Sequence, residues 1–265
     1  VSSSNGRKSI FITGAASGMG RETARLFAEK GWFVGAYDVN HDGLETLREQ
    51  IGDANGSFNV LDVTDASAWT AAMNLFATAT GGTLDLLFNN AGIGASGLLD
   101  EQSWDDVMRI VNINFIGVML GVRAGVPLLK NTPDSLCLTT SSSSAIFGTA
   151  GIPVYSATKH AVRGLTEALS IELKRYGVRA ADLLPGLIDT PLLSDGMRQM
   201  APSEGMWRLV EPREVAETVW EAYGTDRVHW YIPEELRDFH LRVVAEPEAV
   251  REERTALLAA MTAAG

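Results

Sequence analysis

Cysteine is nearly missing from this chain. Cys137 is the only one in 265 residues, which excludes an intrachain disulfide and points to a reducing compartment, the cytoplasm. Histidine is scarce as well. His41, His160, His229 and His240 stand at no metal-ligand spacing, and no Cys/His cluster accompanies them, so no metal is expected. Positive charge is short: 22 Lys and Arg face 33 Asp and Glu, a net charge of −11. That balance disfavours nucleic acid, which needs basic surface, and leaves a small cofactor as the nucleotide this chain could hold. Unbroken apolar runs are too short for a membrane span. The opening VSSSNGRKS lacks the apolar centre of a signal peptide, and residues 1–8 read as a flexible terminus.

What is present is an ordinary globular balance, 46% hydrophobic and 21% charged. From Ser9 short apolar runs alternate with helical patterns. SIFIT (9–13), WFVGAYD (32–38), SFNVLDV (57–63), LDLLFNN (84–90), SLCLTT (135–140) and VRAADLL (178–184) read as strands. Residues 19–30, 43–51, 66–79, 103–130 and 152–176 read as the helices between them. Strands that are apolar almost throughout imply a parallel sheet covered on both faces. The repeated strand–helix order implies a doubly wound α/β sheet of the Rossmann type, about seven strands in the order 3-2-1-4-5-6-7. No linker or repeat divides the chain, so residues 9–265 are expected to form a single domain.

Between the first strand and first helix stands TGAASGMG, with Gly14, Gly18 and Gly20. A turn there aims the first backbone N–H groups of the helix above the strand end, where the helix dipole favours an anion such as a pyrophosphate. The spacing, Gly-x-x-x-Gly-x-Gly, departs from the usual dinucleotide fingerprint. Asp38 ends the second strand, twenty residues after Gly18. A carboxylate there accepts hydrogen bonds from a ribose and repels a 2′-phosphate, which predicts NAD(H) in preference to NADP(H). Asp62 and Val63 close the third strand and are expected near the adenine. NNAG, with Asn90, Ala91 and Gly92, closes the fourth.

In VYSATKHAV (154–162), Tyr155 and Lys159 are four apart and share a helix face. Alone the pairing is common and means little. A free phenol has a pKa near 10 and is a poor base, but a neighbouring ammonium and an oxidised nicotinamide both favour its phenolate. Such a tyrosine takes a proton from an alcohol or returns one to a ketone while hydride moves.

TGAASGMG, NNAG, the segment NINFIG around Asn114, the serine run 141–144 and YSATK, taken in order, resemble the classical short-chain dehydrogenase/reductase family from about Ser9 to Thr190. The resemblance implies a role for each matching residue. Ser142, thirteen residues before the tyrosine, would hydrogen-bond the substrate oxygen. Tyr155 would be the general acid/base, and Lys159 would bind the nicotinamide ribose and depress the tyrosine pKa. Asn114 would hold a proton-relaying water, with Asn112 the competing candidate. Gly14, Ser17, Gly18, Met19, Gly20, Asp38, Asp62, Val63, Asn90, Ala91 and Gly92 would bind cofactor, together with Tyr155 and Lys159. In LLPGLIDTP, Pro185, Gly186, Ile188 and Thr190 would hold the nicotinamide. Ala145 departs from the family, which has glycine there.

The family's Asp-Gly-Gly ending is absent. RVHWYIP (227–233) can still serve as the seventh strand, followed by an atypical tail over about 234–265. A homodimer or homotetramer is expected. Residues 187–211 correspond to the family's substrate cover. Leu192, Leu193, Met197, Met200, Met206 and Trp207 suggest an apolar pocket for an alicyclic or aromatic alcohol or ketone. Arg198 and Arg208 keep an acidic substrate open at this point. A cofactor-binding sensor or scaffold without chemistry would be expected to lack the tyrosine or lysine, and a serine hydrolase would need a Gly-x-Ser-x-Gly elbow.

Overall fold

Strand β1 (Ser9–Thr13) is buried at every position. Its side chains alternate between two cores: Ile10 and Ile12 enter one, and Phe11 enters the other. An apolar run without polar alternation is therefore the mark of a strand covered on both faces. The computed structural model that displays this describes residues 6–94 and 96–264, so residues 1–5 of the expected flexible terminus lie outside the described residues.

Six further strands join β1 in parallel: β2 (Phe33–Asp38), β3 (Gly56–Val60), β4 (Leu86–Asn89), β5 (Leu136–Thr140), β6 (Arg179–Pro185) and β9 (His229–Ile232). Their order is β3-β2-β1-β4-β5-β6-β9, the doubly wound arrangement the sequence predicts, with RVHWYIP supplying the last strand. Strand order reverses between β1 and β4, which opens a crevice at the carboxyl ends of those strands.

One face of the sheet is covered by α1 (Gly18–Glu29), α2 (His41–Ile51) and α8 (Pro212–Tyr223), through Phe27, Leu44, Leu47, Val215 and Val219. The other is covered by α3 (Ala66–Thr80), α5 (Gly117–Leu129) and α6 (Pro153–Glu172), through Trp69, Phe76, Val118, Val122, Val162 and Leu169. Phe11 anchors this second layer. Its ring stacks on Tyr37 at 4.0 Å and meets Phe76 edge-on at 5.3 Å. Gly35 makes room there, since a Cβ would lie 2.6 Å from Phe76. Truncating an aromatic in such a core costs about 3–5 kcal/mol.

Three features differ from the sequence reading. The helical run 103–130 is interrupted: α4 (Trp104–Val111) passes into α5 through a π-helical segment, Asn112–Ile116. The run Trp104–Leu129 is long and apolar enough by composition to cross a membrane, an 18-residue stretch of it reaching a mean hydropathy of 1.5. In this fold Ile110, Val118, Val122 and Leu129 of the run are buried in the cores. Helix α8 is a helix the sequence reading passed over. The substrate-cover segment is bounded by a two-residue parallel ladder, β7 (Leu187–Ile188) with β8 (Leu209–Val210), and contains α7 (Asp195–Met200). The tail beyond β9 forms α9 (Leu236–Ala245) and α10 (Pro247–Ala264).

Candidate active site

The crevice at the strand ends is built first from glycines. Gly14 (φ +67°) and Gly18 (φ +51°) adopt left-handed backbone that other residues rarely take. A Cβ on Gly20 would lie 2.1 Å from the Gly14 carbonyl oxygen, and one on Gly18 would lie 2.9 Å from Thr190 Cγ2. The turn is thus folded tightly on itself and against the segment after β6. Asn40, Asp65 and Ser103 cap α2, α3 and α4 with their side chains, whereas Ser17 makes no such bond at the start of α1. Ser17 is exposed there and Met19 is partly buried against the core.

Asp38 turns its carboxylate back toward this turn, accepting from Ala16 N (3.0 Å) and Asn40 N (2.9 Å). Asp62 is exposed and accepts from Thr64, while the Val63 side chain is buried beside Gly117, away from the surface. Asn90 ties three strand ends together. Its amide donates to Thr13 O (3.1 Å) and Gly14 O (3.3 Å), and its Oδ1 accepts from Thr140 Oγ1 (3.1 Å). Thr13 Oγ1 in turn accepts from Asn90 N and Ala91 N, both at 3.0 Å. Thr13 is a site residue that the sequence reading missed. Its signal is a hydroxyl closing an otherwise apolar strand.

The expected serine, tyrosine and lysine meet across this crevice. Ser142 follows β5, while Tyr155 and Lys159 lie on the first turns of α6. The Ser142 side chain stands close enough to the Tyr155 phenol to favour its ionised form, and Ser142 Oγ accepts from Ser144 N (3.1 Å). Lys159 Nζ lies 5.6 Å from the Tyr155 ring centre and donates to Thr140 O (2.8 Å). Ser141, which the sequence reading left without a role, donates from Oγ to the Lys159 carbonyl (2.9 Å), tethering that turn of α6 to the end of β5. Lys159 is 3% exposed. A Cβ on Gly92 would lie 3.3 Å from Asn114 Oδ1 and 3.6 Å from Lys159 Nζ, so NNAG, the asparagine and the lysine share one spot. Asn114 is fully buried, and its amide pairs both ways with the Ile93 backbone (2.9 Å each). Asn112, the competing candidate, accepts from Gly117 N through its backbone within the π segment.

The electrostatics of the protein by itself run against the expected depression of the phenol. Burial pushes the Tyr155 phenol above its ordinary value, with the nearby Ser142 hydroxyl acting the other way. Burial also pulls the Lys159 ammonium down to about 8. Desolvation disfavours both charged forms, so an ion pair is not preformed here.

On the substrate side, Gly186 N donates to Ile232 O (2.7 Å), fixing the bend after Pro185. Ile188 is buried in the β7–β8 ladder, and Thr190 packs on Gly18. The two arginines considered for an acidic substrate are already paired. Arg198 binds Asp189 and Asp195, each at 2.6 Å, and also Thr190 O (3.2 Å); Arg208 pairs with Glu214. Leu192 approaches Gly94, where a Cβ would lie 3.3 Å away.

The sequence profile described as short chain dehydrogenase matches residues 8–200. The chain is 34% identical over 212 residues to a 3-alpha-(or 20-beta)-hydroxysteroid dehydrogenase of Mycobacterium tuberculosis strain H37Rv, covering 80% of each. It is 33% identical over 216 residues to a cyclohexanol dehydrogenase of Acinetobacter sp. strain SE19, covering 80% of this chain and 86% of that one. Among solved structures it resembles a short chain dehydrogenase/reductase from Burkholderia phymatum in complex with NAD. There the TM-score is 0.82 and the identity 26%, over 92% of this chain and 95% of that one.

Proposed function

The chain belongs to the short-chain dehydrogenase family, and on that premise we propose that it transfers a hydride between NAD(H) and an apolar, alicyclic secondary alcohol or ketone. The observation that carries this reading is the convergence of Ser142, Tyr155 and Lys159: the serine side chain acts on the phenol, and Lys159 Nζ lies 5.6 Å from the phenol ring, beside the glycine turn. A bound nicotinamide supplies the hydride carrier and, when oxidised, a positive charge that favours the phenolate.

The chain's own residues do the rest. Ser142 holds the substrate oxygen as charge develops on it. Tyr155 exchanges a proton with that oxygen, and Lys159, anchored on Thr140 O, faces the cofactor ribose. Asn114 keeps its amide on Ile93 and holds the relay water through its remaining capacity. The Gly14–Gly20 turn, with Ser17 and Met19, takes the pyrophosphate at the start of α1. Asp38 takes the adenosine ribose and sets the preference for NAD(H) over NADP(H). Asp62, Val63 and the Asn90–Gly92 segment border the adenine and ribose side, and Pro185, Gly186, Ile188 and Thr190 border the nicotinamide. The internal pairing of Arg198 and Arg208 favours an uncharged substrate, in keeping with the names of the hydroxysteroid and cyclohexanol dehydrogenases.

Residues 9–265 are read as one catalytic unit, in a homodimer or homotetramer. The 77%-exposed Ile171 on α6 supports such an assembly. A single cysteine, Cys137, with no intrachain disulfide to form, suits the reducing cytoplasm as its location. The test of the chemistry is Tyr155→Phe, assayed with NAD and a panel of alicyclic alcohols. Turnover is expected to fall at least about a thousandfold, with NADH binding by fluorescence retained. Activity within tenfold of the parent would refute the assignment.

A further inference from the structure

The family profile ends at residue 200, before the last part of the substrate cover and the whole of α9 and α10. What selects the substrate there must be read from this chain's own residues. Met206 and Trp207 lie in one apolar cluster with Ile146 and Phe147, which follow Ser142, and with Phe239 of α9 and Val250 of α10. A Cβ on Gly186 would lie 3.5 Å from the Met206 carbonyl oxygen, so this part of the cover touches the bend beside the nicotinamide segment. The cluster therefore backs the substrate end of the crevice, with Trp207 as its largest side chain.

Trp207 is held from behind. Its ring meets Phe239 edge-on at 5.5 Å. The guanidinium carbon of Arg254 lies 4.7 Å from the Trp207 ring centre and 5.2 Å from that of Phe239. Along the described side chains of α10, Val250 is buried and Arg254 is half-buried one turn later, while the others are exposed. Among the described side chains, one valine and one arginine thus form the inward face of this helix. An ion pair between Arg242 and Glu253 adds a tie at the surface. Arg254 loses hydration on entering this position, and two aromatic faces compensate a guanidinium better than they would an ammonium.

We propose that Trp207 is a wall of the substrate pocket and that Arg254 is a positioning residue, fixing the Trp207 ring and with it the size of alcohol accepted. The proposal rests on the dehydrogenase reading of the site and adds to it what limits the substrate. In this account α10 acts as a buttress. It touches no reacting atom, yet loosening it gives the indole room to turn and the pocket room to grow.

The test compares cyclohexanol with trans-2-decalol, a fused two-ring alcohol. Kinetics are measured for the parent, Arg254→Ala, Arg254→Met, Arg254→Lys, Trp207→Ala and the double variant Arg254→Ala/Trp207→Ala. In Arg254→Ala and Arg254→Met the ratio of kcat/KM for decalol over cyclohexanol is expected to rise roughly tenfold, mainly through KM. Arg254→Lys keeps a cation but loses the planar face, and should shift the ratio by less than the alanine variant, about threefold. Trp207→Ala should shift the ratio at least as far as Arg254→Ala, and the double variant no further than Trp207→Ala. An unchanged ratio in Arg254→Met, which keeps the stem and folds with less disturbance than alanine, overturns the proposal. So does an equal loss on both alcohols, or a full additional shift in the double variant. Should the parent turn over neither alcohol, the hydride-transfer reading falls. The buttress is then judged by calorimetric binding of the two alcohols to the NAD-loaded protein, where the same tenfold change in relative affinity supports it and none overturns it.

Discussion

The cofactor bed and the substrate cover are held by different kinds of force. In the bed, position is set by backbone and by short polar side chains: Gly20 against the Gly14 carbonyl, Asn90 stitching Thr13, Gly14 and Thr140, and Asp38 turned back on Ala16. In the cover, position is set by soft contacts between large side chains, Trp207 with Phe239 and Arg254. Ion pairs such as Arg198–Asp189 sit at its partly exposed surface. Hydrogen bonds and steric stops leave little latitude, whereas apolar packing tolerates substitution if volume is kept. One half can stay constant while the other is reshaped.

The same substitution made in each half should break this symmetry most strongly. Gly20→Ala drives a methyl to within 2.1 Å of a backbone oxygen. The turn cannot relieve that without moving, so NADH binding is expected to weaken at least a hundredfold. Gly196→Ala, on α7 with nothing within 4 Å of the new methyl, should leave NADH binding unchanged. It should raise stability by up to about 1 kcal/mol through helix propensity. Titration with NADH and thermal melts of the pair decide the point, and equal losses in both would remove the distinction drawn here.

A smaller effect probes the rim of the bed. Asp38→Asn keeps an oxygen for Ala16 N and removes the charge. The ratio of kcat/KM with NAD to that with NADP should fall about tenfold, and an unaltered ratio would mean that the carboxylate does not set cofactor choice.

The last comparison is one of stability, and its sign follows from burial. Lys159 titrates at about 8 in the folded protein against the usual 10.5. The unfolded chain therefore binds more protons between those values. The penalty for burying the ammonium is present in full below pH 8 and is relieved as pH rises toward 10.5. Tyr155, raised by burial, acts oppositely above its unfolded value near 10. Lys159→Met should be as stable as the parent at pH 7 or more so, by up to about 3 kcal/mol, while losing turnover. Denaturant melts at pH 7 and 9.5 should show the gap between the two proteins narrowing with pH.

The two halves were unequally legible in the sequence, for the same physical reason. Glycines at fixed offsets and Tyr155 four residues before Lys159 are local patterns imposed by backbone geometry, so they stand out in a linear reading. The inner strands of the sheet did too, because burial on both faces demands continuous apolar runs. Helix α8 escaped although Pro212 and the apolar Val215, Val219 and Ala222 mark it, since charged residues fill its outer face. The β7–β8 ladder is too short to carry a period. Contacts made through a main-chain oxygen, such as Lys159 to Thr140, leave no imprint on residue identity. The pairing of Trp207 with Arg254 joins residues far apart in the chain. The raised phenol was hidden as well: adjacency to an ammonium can be read from spacing, whereas dehydration of both groups cannot.

Asn90 carries a further consequence. A misplacement of about 1 Å between reacting groups can cost a hundredfold in rate. The strands that present the glycine bend and the serine–lysine edge are separate pieces of chain, each free in principle to drift with temperature. One carboxamide grips both flanks at once and fixes the spacing between them. The tolerance of the whole reaction is in this sense entrusted to a side chain whose own bonds all run to the protein.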